Sequence, residues 1–281
     1  MSKQIPGETP VSRRLNLSPL VASLLAAAAV AVSLLSLPAA AKVYGGVDRD
    51  VPLARFEDPL CPGIFGVAQD GAEAMVGLIR QNAADLGLRL ADPETCEPNL
   101  LVAVIDDPHG YVESLHQRRP YLFEELGQGE RKALFDSPGP VHTWTRMQVK
   151  SLGGIPVEER RNLTDLPQAA VMSAHSLIYV PVRRDITSVM ILIDRKAVQG
   201  MTVAQLAAYA TMRGLSGDQA EQLEAPGETI LSLFDAAAKP AELSRSDRIF
   251  LKTLYSSMPN NPAAVTLSMA DAKIAEGKAA E

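Results

Sequence analysis

Residues 187–215, TSVMILIDRKAVQG followed by MTVAQLAAYATMRGL, spell a buried strand that runs straight into a helix with both ends marked. No other stretch constrains the fold as much. Val189, Met190, Ile191, Leu192 and Ile193 form an unbroken aliphatic run, the pattern of a strand covered on both faces. Thr202 and Gln205 have the spacing of a capping box, and Met201 with Leu206 that of a hydrophobic staple. Val203, Leu206, Ala207 and Ala210 make one apolar stripe whose alanines let a helix lie close to a sheet. Gly214 supplies a left-handed residue to close the helix.

The remaining elements fall around this unit. A helix is expected from Asp70 or Gly71 to Leu86, with Met75, Ile79 and Ala83 on its inner face and Gly87 as its stop. Residues 100–105 read as an aliphatic strand ending in Asp106-Asp107-Pro108, and residues 111–118 as a helix stopped by Pro120. A short helix is expected near residues 130–135, then a hard turn at Ser137-Pro-Gly-Pro140 and a strand over 141–150. Residues 176–182 and 187–194 suggest an antiparallel hairpin turning at Arg183-Arg184-Asp185. Short helices follow near 228–238 and 244–255, the second opened by a capping box of Ser244 and Asp247. This order predicts an α+β or α/β fold, a mixed β-sheet packed with helices in a single main domain over residues 54–257. Residues 42–53 read as an irregular lead-in, with a short strand at 54–57. Residues 258–281, rich in Ala, Lys and Glu, read as a flexible tail with at most a frayed helix.

Residues 1–41 read as a secretory signal. Arg13 and Arg14 form a positive start, residues 20–37 an apolar core, and Ala39-Ala40-Ala41 a small-residue cleavage site. An uncleaved N-terminal anchor is the competing reading, since the apolar run reaches the ~18 residues that can span a bilayer. Either way the rest of the chain is expected to be periplasmic or secreted, with membrane contact only through that segment. The formal net charge of −6 becomes −8 on cleavage, because the removed segment holds three basic residues and one acidic. No basic cluster stands out, which argues against a nucleic-acid partner. The pairs Arg118-Arg119, Arg160-Arg161 and Arg183-Arg184 read as solvated loop or helix ends. Cys61 and Cys96 are the only cysteines, and in an exported chain they are expected to form a disulfide. A redox or nucleophilic thiol lacks C-x-x-C spacing and an adjacent histidine.

Familiar chemistry is missing. There is no G-x-S-x-G, no P-loop and no dinucleotide-binding glycine fingerprint. His109 and His116 stand seven residues apart, a rise of about 10 Å on a helix, too far to share one ion. His142 and His175 each sit at the edge of an expected strand, and Ser173-Ala-His175-Ser176 points successive side chains to opposite faces. No metal or cofactor is expected on ligand count. The carboxylates Asp106 and Asp107 end a strand, where ligands bind in open sheets, and His109 lies two residues beyond. The competing reading makes Asp107 or Pro108 the start of the next helix. Trp144 reads as a strand anchor in the core.

Taken together, the strand, the helix ending in Gly214-Leu215, ETILSLF at 228–234 and LSRSDRIFLKTLY at 243–255 resemble the layout of zincin-like metalloproteases of the metzincin type. Residues 54–257 also resemble a group of uncharacterised exported proteobacterial proteins with that layout. Gly214 would be the glycine of H-E-x-x-H-x-x-G. Ala207 and Thr211 would then occupy the histidine positions and Ala208 the glutamate position. ETILSLF falls where such proteases carry a methionine turn, and the last segment matches their closing helix. The resemblance implies a strand over 189–193 in a mixed sheet with the helix over 202–213 on one of its faces. With every catalytic position empty, it implies neither zinc nor peptidase activity. Two functions follow as expectations. One is an exported, non-catalytic protein that binds a protein, peptide or envelope component. The other is a periplasmic hydrolase with a site near Asp106, Asp107 and His109.

Overall fold

The structure, a computed structural model, describes residues 49–157, 181–217, 219, 229–235 and 239–279. All of them lie in one compact unit, Gly45–Glu281. The chain enters a short strand β1 (Pro62–Phe65), helix α1 (Gln69–Asp85), strand β2 (Leu100–Ile105), helix α2 (Pro108–Arg118), and helix α3 (Gln128–Asp136) after a 3₁₀ turn at Pro120–Phe123. Two long strands follow, β3 (Val141–Ser151) and β4 (Val182–Asp194), then helix α4 (Val203–Ser216). A 3₁₀ turn at Ile230–Phe234 leads to the final helices α5 (Arg245–Ser256) and α6 (Ala263–Ala279). The sheet order is β1-β2-β4-β3, parallel throughout except for β3, which runs antiparallel to β4 along one edge. This is the mixed, helix-packed α+β fold expected from the element order.

Alternation along the strands sorts the sheet into two apolar layers. Leu100 and Val102 of β2 join Val189, Ile191 and Ile193 of β4 on the face covered by α1 and α4. Ala103, Leu192 and Trp144 face α2 and α3 in a second cluster with Val112, Phe123 and Leu134. Trp144 stacks on Phe123 with ring centres 5.2 Å apart, an anchor of that layer. Helix α4 begins as its sequence dictates: Thr202 Oγ1 accepts from Gln205 N–H (3.2 Å) and Gln205 Oε1 accepts from Thr202 N–H (2.9 Å). Cys61 and Cys96 are joined by a disulfide that ties the start of β1 to the approach to β2.

Four expectations need correction. Residues 182–194 form one strand, and Arg183-Arg184-Asp185 is not a hairpin turn. Asp185 is 1% exposed and is neutralised inside the strand by Arg183 (2.9 Å) and Lys150 (3.1 Å). Arg183 is therefore an ion-pair partner within the sheet, not a solvated loop end. The companion segment 176–180 and the pair Arg160-Arg161 lie outside the described residues. Second, residues 54–57 form no strand: Arg55 makes a single bridge to Asp185, while Pro62–Phe65 provides the edge strand. Third, the region after Pro259 is not a loose tail, since α6 buries Ala263, Leu267, Ala270 and Ile274 at helical spacing. Its start is pinned to the lead-in by Ala263 N–H donating to Val51 O (2.9 Å). Fourth, α4 does not end at Gly214. It continues to Ser216, and Gly217 takes the positive φ of +56° that ends it.

Candidate functional site

The face of α4 that the zincin resemblance singles out is packed into the core. Ala207 and Thr211 are fully buried and Ala208 is 3% exposed. Thr211 Oγ1 donates to Ala207 O (2.8 Å) and accepts from Asn82 Nδ2 on α1 (3.2 Å), so its hydroxyl ties two helices together. Gly214 serves close packing: a Cβ there would stand 2.5 Å from Leu100 Cδ1 on β2. These four positions offer no polar group to a ligand.

Open space lies on either side of β3. The larger cavity, about 400 Å³, wraps the outer edge of β3. Thr143 and Thr145 reach it from the α4 face and Trp144 from the other, with Leu134 of α3 and Arg213 of α4 among its walls. Asp194 N–H donates to Pro140 O (2.8 Å), which sets the hydrogen-bonding phase of the β3–β4 ladder. Alternation from that pair turns the backbone of residues 140, 142 and 144 toward β4 and that of Val141, Thr143 and Thr145 outward. Among the described residues, no strand pairs with this outward row. Further along the same edge, Val157 N–H donates to Val149 O (2.9 Å) and Ser151 N–H to Ile155 O (2.8 Å). The edge therefore accepts an antiparallel partner where one is present.

The second cleft, about 390 Å³, opens at the carboxyl ends of β2 and β4. Asp106, Asp107 and His109, the carboxylate–imidazole group anticipated from sequence, all line it. The structure adds three polar side chains to them: His142, Asp194 and Ser137. Asp194, the last residue of β4, stands beside Ile105 in the parallel ladder, and Asp106 follows directly after β2, so acid gathers at the same end of both neighbouring strands. Asp107 caps α2, with Oδ1 accepting from Gly110 N–H (2.9 Å), and Pro108 opens the helix, as the competing sequence reading held. Asp106 is paired with Arg195 at 2.8 Å. His109 Nε2 lies 3.4 Å from Glu113 on the exposed side of α2. Its ring meets that of His142 edge-on, with centres 5.8 Å apart.

His142 is 3% exposed, and neither ring nitrogen has a hydrogen-bond partner among the described residues. Burial pushes its pKa below the usual 6.5, the neighbouring His109 adds to this, and Asp107 opposes it. His142 is thus held as a neutral imidazole at pH 7. The sequence shows it only as a strand-edge histidine; the clue to its role is its place two residues beyond Pro140, opposite the strand that ends in Asp194. His116 does not join the cleft. Its ring packs against Phe123 and Phe135 at 5.4 and 5.0 Å. His175 lies outside the described residues. Among the described residues, no three His, Cys, Asp or Glu side chains come together to hold a metal ion.

No described helix is long and apolar enough to cross a membrane. Comparison of the chain with protein-family models, with curated proteins and with solved structures finds no match.

Proposed function

We propose that this chain is an exported, non-catalytic protein of zincin-like layout that binds an extended peptide or protein segment along the outer edge of β3. The observation that carries the reading is the 400 Å³ cavity beside an edge whose Thr143 and Thr145 backbone groups face outward. A peptide laid there adds a strand to the sheet: main-chain hydrogen bonds supply affinity, and the walls on both sides of β3 select alternate side chains. The zincin-like layout is supported by the antiparallel edge strand beside a parallel sheet and by α4 following its partner strand. Non-catalytic function is supported by the burial of Ala207, Ala208 and Thr211. Export is supported by the arginine-led apolar segment at the N-terminus and by the Cys61–Cys96 disulfide.

Proline at an outward position tests this reading. Thr145→Pro removes an N–H that the β3–β4 ladder does not use, so the sheet tolerates it while strand addition is blocked. Peptide-library capture by the purified exported protein should enrich extended sequences, uncleaved and insensitive to chelator, and Thr145→Pro should abolish the enrichment with thermal unfolding unchanged. Chelator-sensitive cleavage, or capture that survives Thr145→Pro, defeats the reading.

A further inference from the structure

The cleft at the carboxyl ends of β2 and β4 has a charge and hydrogen-bonding pattern that the strand-edge reading does not use. Three carboxylates line it, and among the described residues only Asp106 has a cationic partner. Arg195 is committed there: it donates to Asp106 Oδ1 (2.8 Å), Gly66 O (2.7 Å) and Val104 O (2.9 Å), so it does not serve the other two acids. Asp107 and Asp194 each spend one oxygen on a backbone N–H, from Gly110 (2.9 Å) and Lys196 (2.8 Å). Among the described residues, their second oxygens have no donor. His142, nearly fully buried and without a partner on either nitrogen, completes the set. Leaving a buried polar group unsatisfied is unfavourable, and a ligand donating to it would recover that loss. Pro108, Pro138 and Pro140 supply apolar wall between these polar groups.

We propose that this cleft binds an organic cation bearing a primary ammonium or guanidinium group, with Asp107 and Asp194 pairing the charge and His142 accepting one of its hydrogens. Such a head group carries donors and no acceptor, which matches a site made of two carboxylates and an imidazole. The proline walls suit the methylene stem that accompanies it. An anion is repelled by the same carboxylates. Asp107 and His109 line the cleft with His142 from the α2 side, and Asp106 and Asp194 from the strand ends. Behind them Glu113 pairs with His109 and Arg195 with Asp106, while Glu130 of α3 lines the neighbouring cavity that His142 also borders. Protonating His142 removes its acceptor and puts positive charge beside the cation, so affinity falls as the pH is lowered below 6.5.

The test uses the exported protein with its disulfide intact, titrated with acetyl-arginine amide, acetyl-lysine amide and spermidine, and with acetyl-glutamine amide as a neutral control. Binding is read from the imidazole Cε1–H resonances of His109 and His142. The expected result is a saturable shift of both resonances with the cations alone, weaker at pH 5 than at pH 7.5. Asp107→Asn and Asp194→Asn keep the backbone hydrogen bonds but remove the charge, and each should weaken binding about tenfold, the loss of one charge-assisted hydrogen bond. Tighter binding of the amino-acid amides identifies a basic side chain of a peptide as the source; tighter binding of spermidine identifies a free polyamine. No saturable shift with any cation, an equal shift with the neutral amide, or undiminished affinity in Asp194→Asn overturns the proposal. Thr145→Pro should leave cation binding intact, so failure of the strand-edge reading and failure of this one are told apart.

Discussion

Replacing Gly214 by alanine separates two effects that usually travel together. In a helix interior this exchange gains up to about 1 kcal/mol of helix propensity. At Gly214, however, the new Cβ would stand 2.5 Å from Leu100 Cδ1 and 3.0 Å from Cδ2, and Leu100 is fully buried in the layer between α4 and β2. Overpacking of this kind costs about 1–3 kcal/mol, so the expected net effect is a destabilisation of about 1 kcal/mol. Gly77 on α1 is the control. It is exposed, and a Cβ there meets nothing within 4 Å. Gly77→Ala should therefore stabilise by about 0.5–1 kcal/mol. Urea unfolding followed by the fluorescence of Trp144, the single tryptophan, reads both variants. The two midpoints should move in opposite directions with unchanged slopes, and Leu100→Val should recover part of the Gly214→Ala loss. A Gly214→Ala midpoint that rises as far as that of Gly77→Ala refutes the close approach of α4 to β2.

Three further outcomes follow from the same packing. Replacing Cys61 and Cys96 together by serine opens a link spanning 35 residues and should cost about 4 kcal/mol in the chain-entropy estimate, measured by urea unfolding against the oxidised protein. Asp247→Ala should cost about 3 kcal/mol in the same assay, because its carboxylate accepts from Ser244 N–H (2.9 Å), Ile230 N–H (2.8 Å) and Thr229 Oγ1 (2.6 Å) and leaves all three donors stranded. His142 titrates below its ordinary value when folded, so the unfolded chain takes up its proton first and stability drops as pH falls from 7 past 6.5. Thermal unfolding of His142→Gln between pH 7 and pH 5 should show a smaller drop than the parent protein, and an equal drop would remove His142 from the account.

Local rules made part of this molecule legible in the sequence. Both capping boxes, the inner face of α1, Gly87 at its end with a φ of +84°, and the boundaries of β2 all follow from spacing alone. Where the reading failed, a non-local partner reset a local signal. The apparent hairpin within 176–194 is the clearest case. The β3–β4 register shifts between Arg146 and Met147, leaving Thr187 as an extra residue of β4 whose hydroxyl donates to Arg146 O (3.1 Å). That bulge breaks the alternation, so Ile186 and Val189 face the same core layer although three residues apart. In sequence, a phase break beside three charged residues is indistinguishable from a turn. The α6 stripe was obscured differently: Ala263 and Ala270 are small enough to look like composition, and only the neighbours that cover them reveal a buried face.

The same alternation explains how one edge strand serves two clefts. Odd-numbered residues at the start of β3 place side chains on the α4 layer and backbone groups outward, the row on which the proposed strand addition depends. Even-numbered residues place Trp144 in the α2–α3 layer and His142 beside His109 at the carboxyl end of the sheet. A slip of one residue would exchange the two sets, exposing Trp144 to the α4 layer and drawing His142 away from Asp107. The paired Asp185 resists that slip, because it is neutralised by Lys150 of β3 at 3.1 Å and by Arg183 of its own strand. Moving Lys150 by one position would turn its amine to the other face and leave a buried carboxylate short of charge, a loss of about 3–5 kcal/mol. The ion cluster at one end of the β3–β4 ladder thus fixes the register on which both candidate sites at the other end depend.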